Sequence, residues 1–171
     1  MTGKLIEVAF VVDDMDAAIA RWTAGFEVGP FFTGIFEVPD QSYRGRSAPG
    51  KMDVAFSFSN GALIELIQPL GDPANIFSEA GPGFNHLMFE LEDHDAEVAR
   101  YAAQGYPVVQ SGTFGGNPFS IVDTRAATGA FTEIMAFNEG VRRLYNRMKA
   151  ECEAWDGHGE PRRDLFAALT S

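Results

Sequence analysis

A chain of 171 residues with 46% hydrophobic and 12% aromatic content can fill one compact core, or two small modules that share one. Its formal net charge of −11 excludes a nucleic-acid partner, since phosphate binding needs a basic face, but leaves room for a small anionic ligand that feels only the local field. No apolar run reaches the roughly 18 residues of a membrane span, the N-terminus leaves no room for a signal peptide, and the single Cys152 allows no internal disulfide, so no membrane partner and a reducing, cytoplasmic setting are expected.

In chain order, residues 5–12 read as a buried strand. Asp13 and Asp14 turn the chain into a helix over 15–24, with Ile19 and Trp22 inward and Gly25 as its stop. A second strand opens at Gly29-Pro30-Phe31-Phe32 and runs to Val38. Residues 39–51 are rich in turn formers, with Tyr43, Arg44 and Arg46 in a short strand. Strand 52–59, the hairpin turn Asn60-Gly61 and strand 62–68 follow. The Pro- and Gly-rich stretch 69–83 is a linker with one short helix at 73–79. The order then repeats as strand 84–91, helix 95–104, strand 106–110, glycine-rich loop 111–118, strand 119–123 and strand 130–137. That loop reads as a plain hairpin loop in preference to a lid. A helix over 139–154 sets Val141, Leu144, Tyr145 and Met148 on one face, a stripe that must pack on the body or on a second subunit. Phe166 and Leu169 pin the last turn.

The repetition extends to single residues. Shifting 6–22 by 79 positions (86 − 7) sets Glu7 on His86, Phe10 on Phe89, Asp14 on Asp93 and Arg21 on Arg100. Shifting 61–67 by 68 positions (133 − 65) sets Glu65 on Glu133. Each half therefore carries one polar side chain on its first strand and one Glu on its last. Alone, each Glu reads as an outward-facing residue and His86 as a structural histidine. Together they interrupt four apolar strands at repeat-related positions, and modules packed about a pseudo-twofold axis bring such positions together. Three close carboxylates then need a divalent cation or shared protons. His94, in a turn, and His158, in the tail, stand outside this symmetry.

The pieces Glu7-Val8-Ala9-Phe10-Val11-Val12-Asp13-Asp14-Met15-Asp16-Ala17-Ala18, Ile64-Glu65-Leu66-Ile67-Gln68-Pro69, Gly83-Phe84-Asn85-His86-Leu87-Met88-Phe89 and Gly129-Ala130-Phe131-Thr132-Glu133-Ile134-Met135 resemble the glyoxalase, or vicinal oxygen chelate, superfamily. Within it the chain is most similar to methylmalonyl-CoA epimerase-like members. The resemblance implies an α+β fold of tandem βαβββ modules forming one cupped mixed sheet. Residues 4–69 and 84–137 would be the modules, and 138–171 a C-terminal helix and tail, all in one domain spanning 1–171. It also implies a metal held by Glu7, Glu65, His86 and Glu133. The first ligand position is usually His in that family and is Glu7 here. This oxygen-rich set favours Mg²⁺, Mn²⁺ or Co²⁺ over Zn²⁺. It also departs from the two-His, one-carboxylate set of iron dioxygenases. Equally, the departure leaves Glu7 open as a base instead of a ligand.

The implied activity is that of a metal-dependent isomerase, epimerase or lyase acting through an enolate on a small carbonyl substrate with vicinal oxygens. Glu7 and Glu133 are the candidate proton carriers, and Arg44 and Arg46 would steer an anionic tail. The alternatives are a glyoxalase-type lyase and a non-catalytic small-molecule binding protein of the same fold. The expected partners are a small-molecule substrate and a second copy of the chain in a homodimer.

Overall fold

The computed structural model describes residues 3–71 and 74–170, with the backbone alone for 168–170. Strand β1 (Lys4–Val11) leads through the capping residue Asp14, whose side chain accepts from the Ala17 N–H, into helix α1 (Met15–Phe26). The helix overruns the expected stop at Gly25, and the left-handed cap falls on Glu27, with φ 55°. Then come β2 (Phe31–Val38), the short hairpin β3 (Ser42–Tyr43) and β4 (Arg46–Ser47), and the long strands β5 (Gly50–Ser59) and β6 (Ala62–Pro69). The linker helix is α2 (Ile76–Ala80), starting later than expected, while Asp72 and Pro73 lie outside the described residues.

The second half repeats the plan with β7 (Gly83–Leu91), α3 (His94–Ala103), β8 (Val108–Phe114), β9 (Asn117–Val122), the one-turn helix α4 (Arg125–Thr128) and β10 (Phe131–Ala136). Asp93 caps α3 at Ala96 as Asp14 caps α1 at Ala17. The loop expected over 111–118 is a tight turn instead. β8 continues to Phe114, and Gly115 and Gly116, at φ 54° and 79°, turn the chain straight into β9. The C-terminal segment adds α5 (Glu139–Ala154), the short strand β11 (Arg162–Asp164) and α6 (Leu165–Thr170). Leu165 is fully buried and Phe166 half-exposed, and the side chain of Leu169 lies outside the described residues.

All the described strands join one mixed sheet in the order β11-β2-β5-β6-β1-β7-β10-β9-β8-β3-β4. β1 and β7 pair antiparallel at its centre, and each has a parallel partner on its other side, β6 or β10. The two βαβββ modules are thus related by a pseudo-twofold axis between β1 and β7. The β3–β4 hairpin leaves the first module and pairs with the second, placing Ser42 opposite Ser111 and Tyr43 opposite Gln110. Thr113 Oγ1 donates to Asp40 Oδ2 at 2.6 Å beside this crossing. The sheet is bent into a cup by its own chain.

Both faces of the central strands are covered, which is why they read as nearly unbroken apolar runs. On the outside, Met15, Ala18 and Ile19 of α1 pack on Phe31, Ala55, Ile64 and Leu66. Tyr101 of α3 packs on Leu91, Val122 and Ile134. On the inside, α5 buries Val141, Leu144, Tyr145 and Met148, so the apolar stripe read from the sequence packs on the chain's own body. The Tyr145 ring meets those of Phe56, Phe58 and Phe137.

Candidate metal centre and chamber

Alternation along the strands decides which side chains enter the cup. Glu7 and Ala9 of β1 face inward, while Val8 and Phe10 pack outward with α1. Across β6-β1-β7-β10, one row of paired residues reads Leu63, Glu7, Met88, Glu133. The adjacent row reads Glu65, Ala9, His86, Phe131. The four polar residues occupy alternating places in the two rows. The pseudo-twofold exchanges Glu7 with His86 and Glu65 with Glu133.

The four side chains converge on one atom. His86 Nε2 lies 3.1 Å from Glu133 Oε2, 3.5 Å from Glu7 Oε1 and 3.5 Å from Glu65 Oε2. The side chains of His86 and Glu7 are 1% and 2% exposed, and those of Glu65 and Glu133 are 12% exposed. His86 Nδ1 lies 3.0 Å from Asn85 Oδ1. With the carboxamide oxygen against the ring, Nδ1 is the donor there, and Asn85 Nδ2, also buried, finds no hydrogen-bond partner among the described residues. In the neutral ring this turns the Nε2 lone pair toward the carboxylates. Neither His86 Nε2 nor Glu7 Oε2 finds an aligned hydrogen-bond partner among the described residues, although both are buried.

This crowding shifts the protons. Burial first, and then the charge of Glu65, push the Glu7 carboxyl well above the usual carboxylate range, with His86 opposing. Burial likewise raises Glu133 against the pull of His86. Burial alone would lower the imidazole, but contacts with Glu133, Glu65 and Glu7 outweigh it and hold His86 well above its ordinary value. The Tyr145 phenol is pushed up by burial and by the charges of Glu7, Glu65 and Glu133.

The donor set fits a divalent cation. Two donors sharing an ion at about 2.1 Å in adjacent octahedral places lie about 3 Å apart, close to the 3.1 and 3.5 Å separations around Nε2. One donor atom each from Glu7, Glu65 and His86 fall within 4.8 Å of one another. Glu7, Glu65 and His86 are the group whose spacing could hold a hard or borderline ion, and Glu133, outside that group, adds a carboxylate 3.1 Å from His86 Nε2.

Beside the cluster lies a narrow chamber with a cavity volume of about 60 Å³. Its walls are largely apolar, with Phe36 and Phe56 from the first module, Phe77 from α2, Phe114 and Phe119 from the second module, and Tyr145 from α5. Arg44 and Arg46 are not among the residues lining it. Arg44 Nη2 lies 2.7 Å from Glu79 Oε2, and its guanidinium stacks on Tyr43. Arg46 is exposed on β4. His94 sits at the start of α3, with Nε2 3.0 Å from Ser120 Oγ. Two polar chamber residues, Tyr145 and Gln110, escape the sequence reading. Tyr145 is hidden within an apolar helical stripe. Gln110 does carry the signal that marks Glu65, a polar residue after an apolar strand run, but has no repeat partner to single it out.

No helix among the described residues is long and apolar enough to cross a membrane. No curated protein matches the chain. Among solved structures, the fold is similar to a hypothetical protein from Bacillus halodurans C-125, with TM-score 0.61 and 16% identity over 81% of this chain and 97% of that one. It is also similar to methylmalonyl-CoA epimerase from Mycobacterium tuberculosis, with TM-score 0.58 and 20% identity over 82% and 91% of the two chains. A 4-hydroxymandelate synthase mutant from Streptomyces coelicolor gives TM-score 0.53 and 18% identity, with 80% of this chain covering 49% of that one. The family model described as the Glyoxalase/Bleomycin resistance protein/Dioxygenase superfamily matches residues 7–122, a stretch that takes in Glu7, Glu65 and His86 and stops before Glu133. With two thirds of its length matched, and with paired modules around a central β1–β7 contact, the chain belongs to the Glyoxalase/Bleomycin resistance protein/Dioxygenase superfamily.

Proposed function

We propose that the protein is a metal-dependent isomerase, epimerase or lyase that works through an enolate of a small carbonyl compound bearing two neighbouring oxygens. The observation that carries this reading is the convergence of three carboxylates, from Glu7, Glu65 and Glu133, within 3.1 to 3.5 Å of the buried Nε2 of His86. Glu7, Glu65, His86 and Glu133 would hold the ion, with Mg²⁺, Mn²⁺ or Co²⁺ suiting three oxygens and one nitrogen better than Zn²⁺. When bound, such an ion supplies Lewis-acid polarisation of the two substrate oxygens and so acidifies the adjacent carbon.

The chain's own groups do the rest. Glu133 and Glu7 are the carboxylates available to take and return the carbon-bound proton. Glu133 is the more open of the two, with 12% of its side chain exposed against 2% for Glu7. The phenol of Tyr145 keeps its proton at neutral pH and is a hydrogen-bond donor in the same chamber. The Phe and Met walls exclude water from a reactive carbanionic species. The similarity to a methylmalonyl-CoA epimerase agrees with proton transfer next to a carbonyl. The single nitrogen donor disfavours an iron oxygenase.

The test is metal analysis of the purified protein, followed by a screen for solvent deuterium incorporation in D₂O over 2-substituted 3-keto acids and acyl-CoAs. A stoichiometric divalent ion and exchange at the carbon next to the carbonyl are expected. A protein with neither, but with an intact chamber that takes up apolar ligands, would be a binding protein and not an enzyme.

A further inference from the structure

Gln110 lies on the chamber wall, 1% exposed, and no role above uses it. Its orientation is settled by a backbone donor. The N–H of Ile76, at the first turn of α2, reaches Gln110 Oε1 at 3.1 Å. An N–H needs an acceptor, so the oxygen end of the carboxamide must face Ile76 and the NH₂ end must point the other way. That NH₂ group is buried and finds no acceptor among the described residues. A buried amide donor left without an acceptor is unfavourable unless something else supplies one.

The strand is shaped for this placement. β8 pairs Val108 with Val122 and Gln110 with Ile121, so Val109 is an extra residue, a bulge. Bulges re-aim side chains and recur beside functional sites. Here Val109 and Gln110, neighbours in sequence, are both buried. No Lys or Arg is among the residues lining the chamber. An anionic oxygen at Gln110 would have no Lys or Arg to pair with, whereas a neutral oxygen needs none.

Resting on the metal-site reading, we propose that Gln110 Nε2 donates a hydrogen bond to a neutral oxygen of the bound molecule, distinct from its two chelating oxygens. The ligand class is then an apolar carbonyl compound with a vicinal oxygen pair at one end and a ketone, ester, amide or nitro oxygen on its body. Gln110 sets specificity for that third oxygen.

The probes are benzohydroxamates, which present a vicinal oxygen pair on an aromatic body. The 2-, 3- and 4-acetyl compounds are compared by calorimetry with their isopropenyl counterparts, which match them in shape but lack the carbonyl acceptor, on the Mn²⁺-loaded protein. At least one acetyl isomer should bind about tenfold tighter than its isopropenyl partner. Gln110→Leu, or Gln110→Met if the first variant misfolds, should bring that ratio near one. A merely structural Gln110 would weaken both probes alike and leave the ratio unchanged. Equal binding of every pair by the parent overturns the proposal and leaves the metal-site reading standing, as does a preference that survives the substitution. If no hydroxamate binds at all, the metal-site reading falls and takes this proposal with it.

Discussion

Glu7 and His86 hold equivalent places on the two central strands and face each other across the pseudo-twofold axis, with Glu7 Oε1 3.5 Å from His86 Nε2. A duplicated fold would be expected to bring two like residues to its axis. Here it brings a carboxylate and an imidazole, so the centre is chemically lopsided although the backbone is symmetric.

Asn85 Oδ1 lies 3.0 Å from His86 Nδ1, on the side of the ring away from the carboxylates, and favours a proton on Nδ1. Replacing Asn85 by Leu frees Nδ1 and lets the proton move to Nε2, where it would block a cation. Mn²⁺ affinity should fall about 10- to 100-fold, with the circular dichroism spectrum unchanged. His86→Ala should weaken binding by at least as much. Parent-like Mn²⁺ titrations for both variants would remove His86 from the site.

A cation that binds the folded chain alone should stabilise it. At a free Mn²⁺ concentration 100 times Kd the gain is about 2.7 kcal/mol. For a chain of this size that raises Tm by roughly 5–10 °C. Glu133→Gln should shrink the shift while leaving the melting temperature in excess EDTA no lower than that of the parent. Differential scanning calorimetry with and without Mn²⁺ reads both.

The metal-free protein should lose stability as pH rises. Glu7 and Glu133 hold protons more tightly folded than unfolded, and so does His86. The stability they contribute is fully present below their unfolded pKa values, about 4.3 for Glu and 6.5 for His. It is lost as pH climbs through the raised folded values. In EDTA, Tm should therefore fall from pH 5 to pH 8 by more in the parent than in Glu7→Gln. Saturating Mn²⁺ should reverse the trend, because ligand deprotonation then favours the bound state. A parent and a Glu7→Gln variant with the same slope in EDTA would mean that folding does not tighten the hold of Glu7 on its proton.

Met148 of α5 is fully buried against the concave face. Met148→Ala should cost about 2–5 kcal/mol in a urea titration. A loss under about 1 kcal/mol would mean that α5 is not packed as described. Arg44→Ala, by contrast, removes an exposed pair with Glu79 outside the chamber, and KM for any substrate found should stay that of the parent.

Much of the site was legible because its signal is local and doubled. Glu7, Glu65, His86 and Glu133 each break an apolar strand, and the duplication showed that the breaks correspond. The parts that were not legible depend on distant pairings. A short strand with Tyr43, Arg44 and Arg46 was expected, but its division into β3 and β4 about the turn at Arg44, and β11 altogether, were not, since two or three residues are too few for any periodicity to register. Their identity as strands comes from β8 and β2, far away in sequence. Arg44 looked like a substrate anchor because basic residues cluster around it, but the β3–β4 crossing carries it to the outside, toward Glu79. Gln110 was obscured by the bulge at Val109, which breaks the in–out alternation that would have assigned it to the chamber.

The same short strands have a consequence for the protein's behaviour in a crowded solution. The sheet ends in β11, three residues long, at one margin and in β4, two residues long, at the other. β11 covers only Phe31 to Thr33 of β2, and β3 only Gln110 and Ser111 of β8. Arg162 and Arg163 on β11 and Arg46 on β4 put charge on both margins, and short, charged edge strands disfavour pairing with a foreign strand.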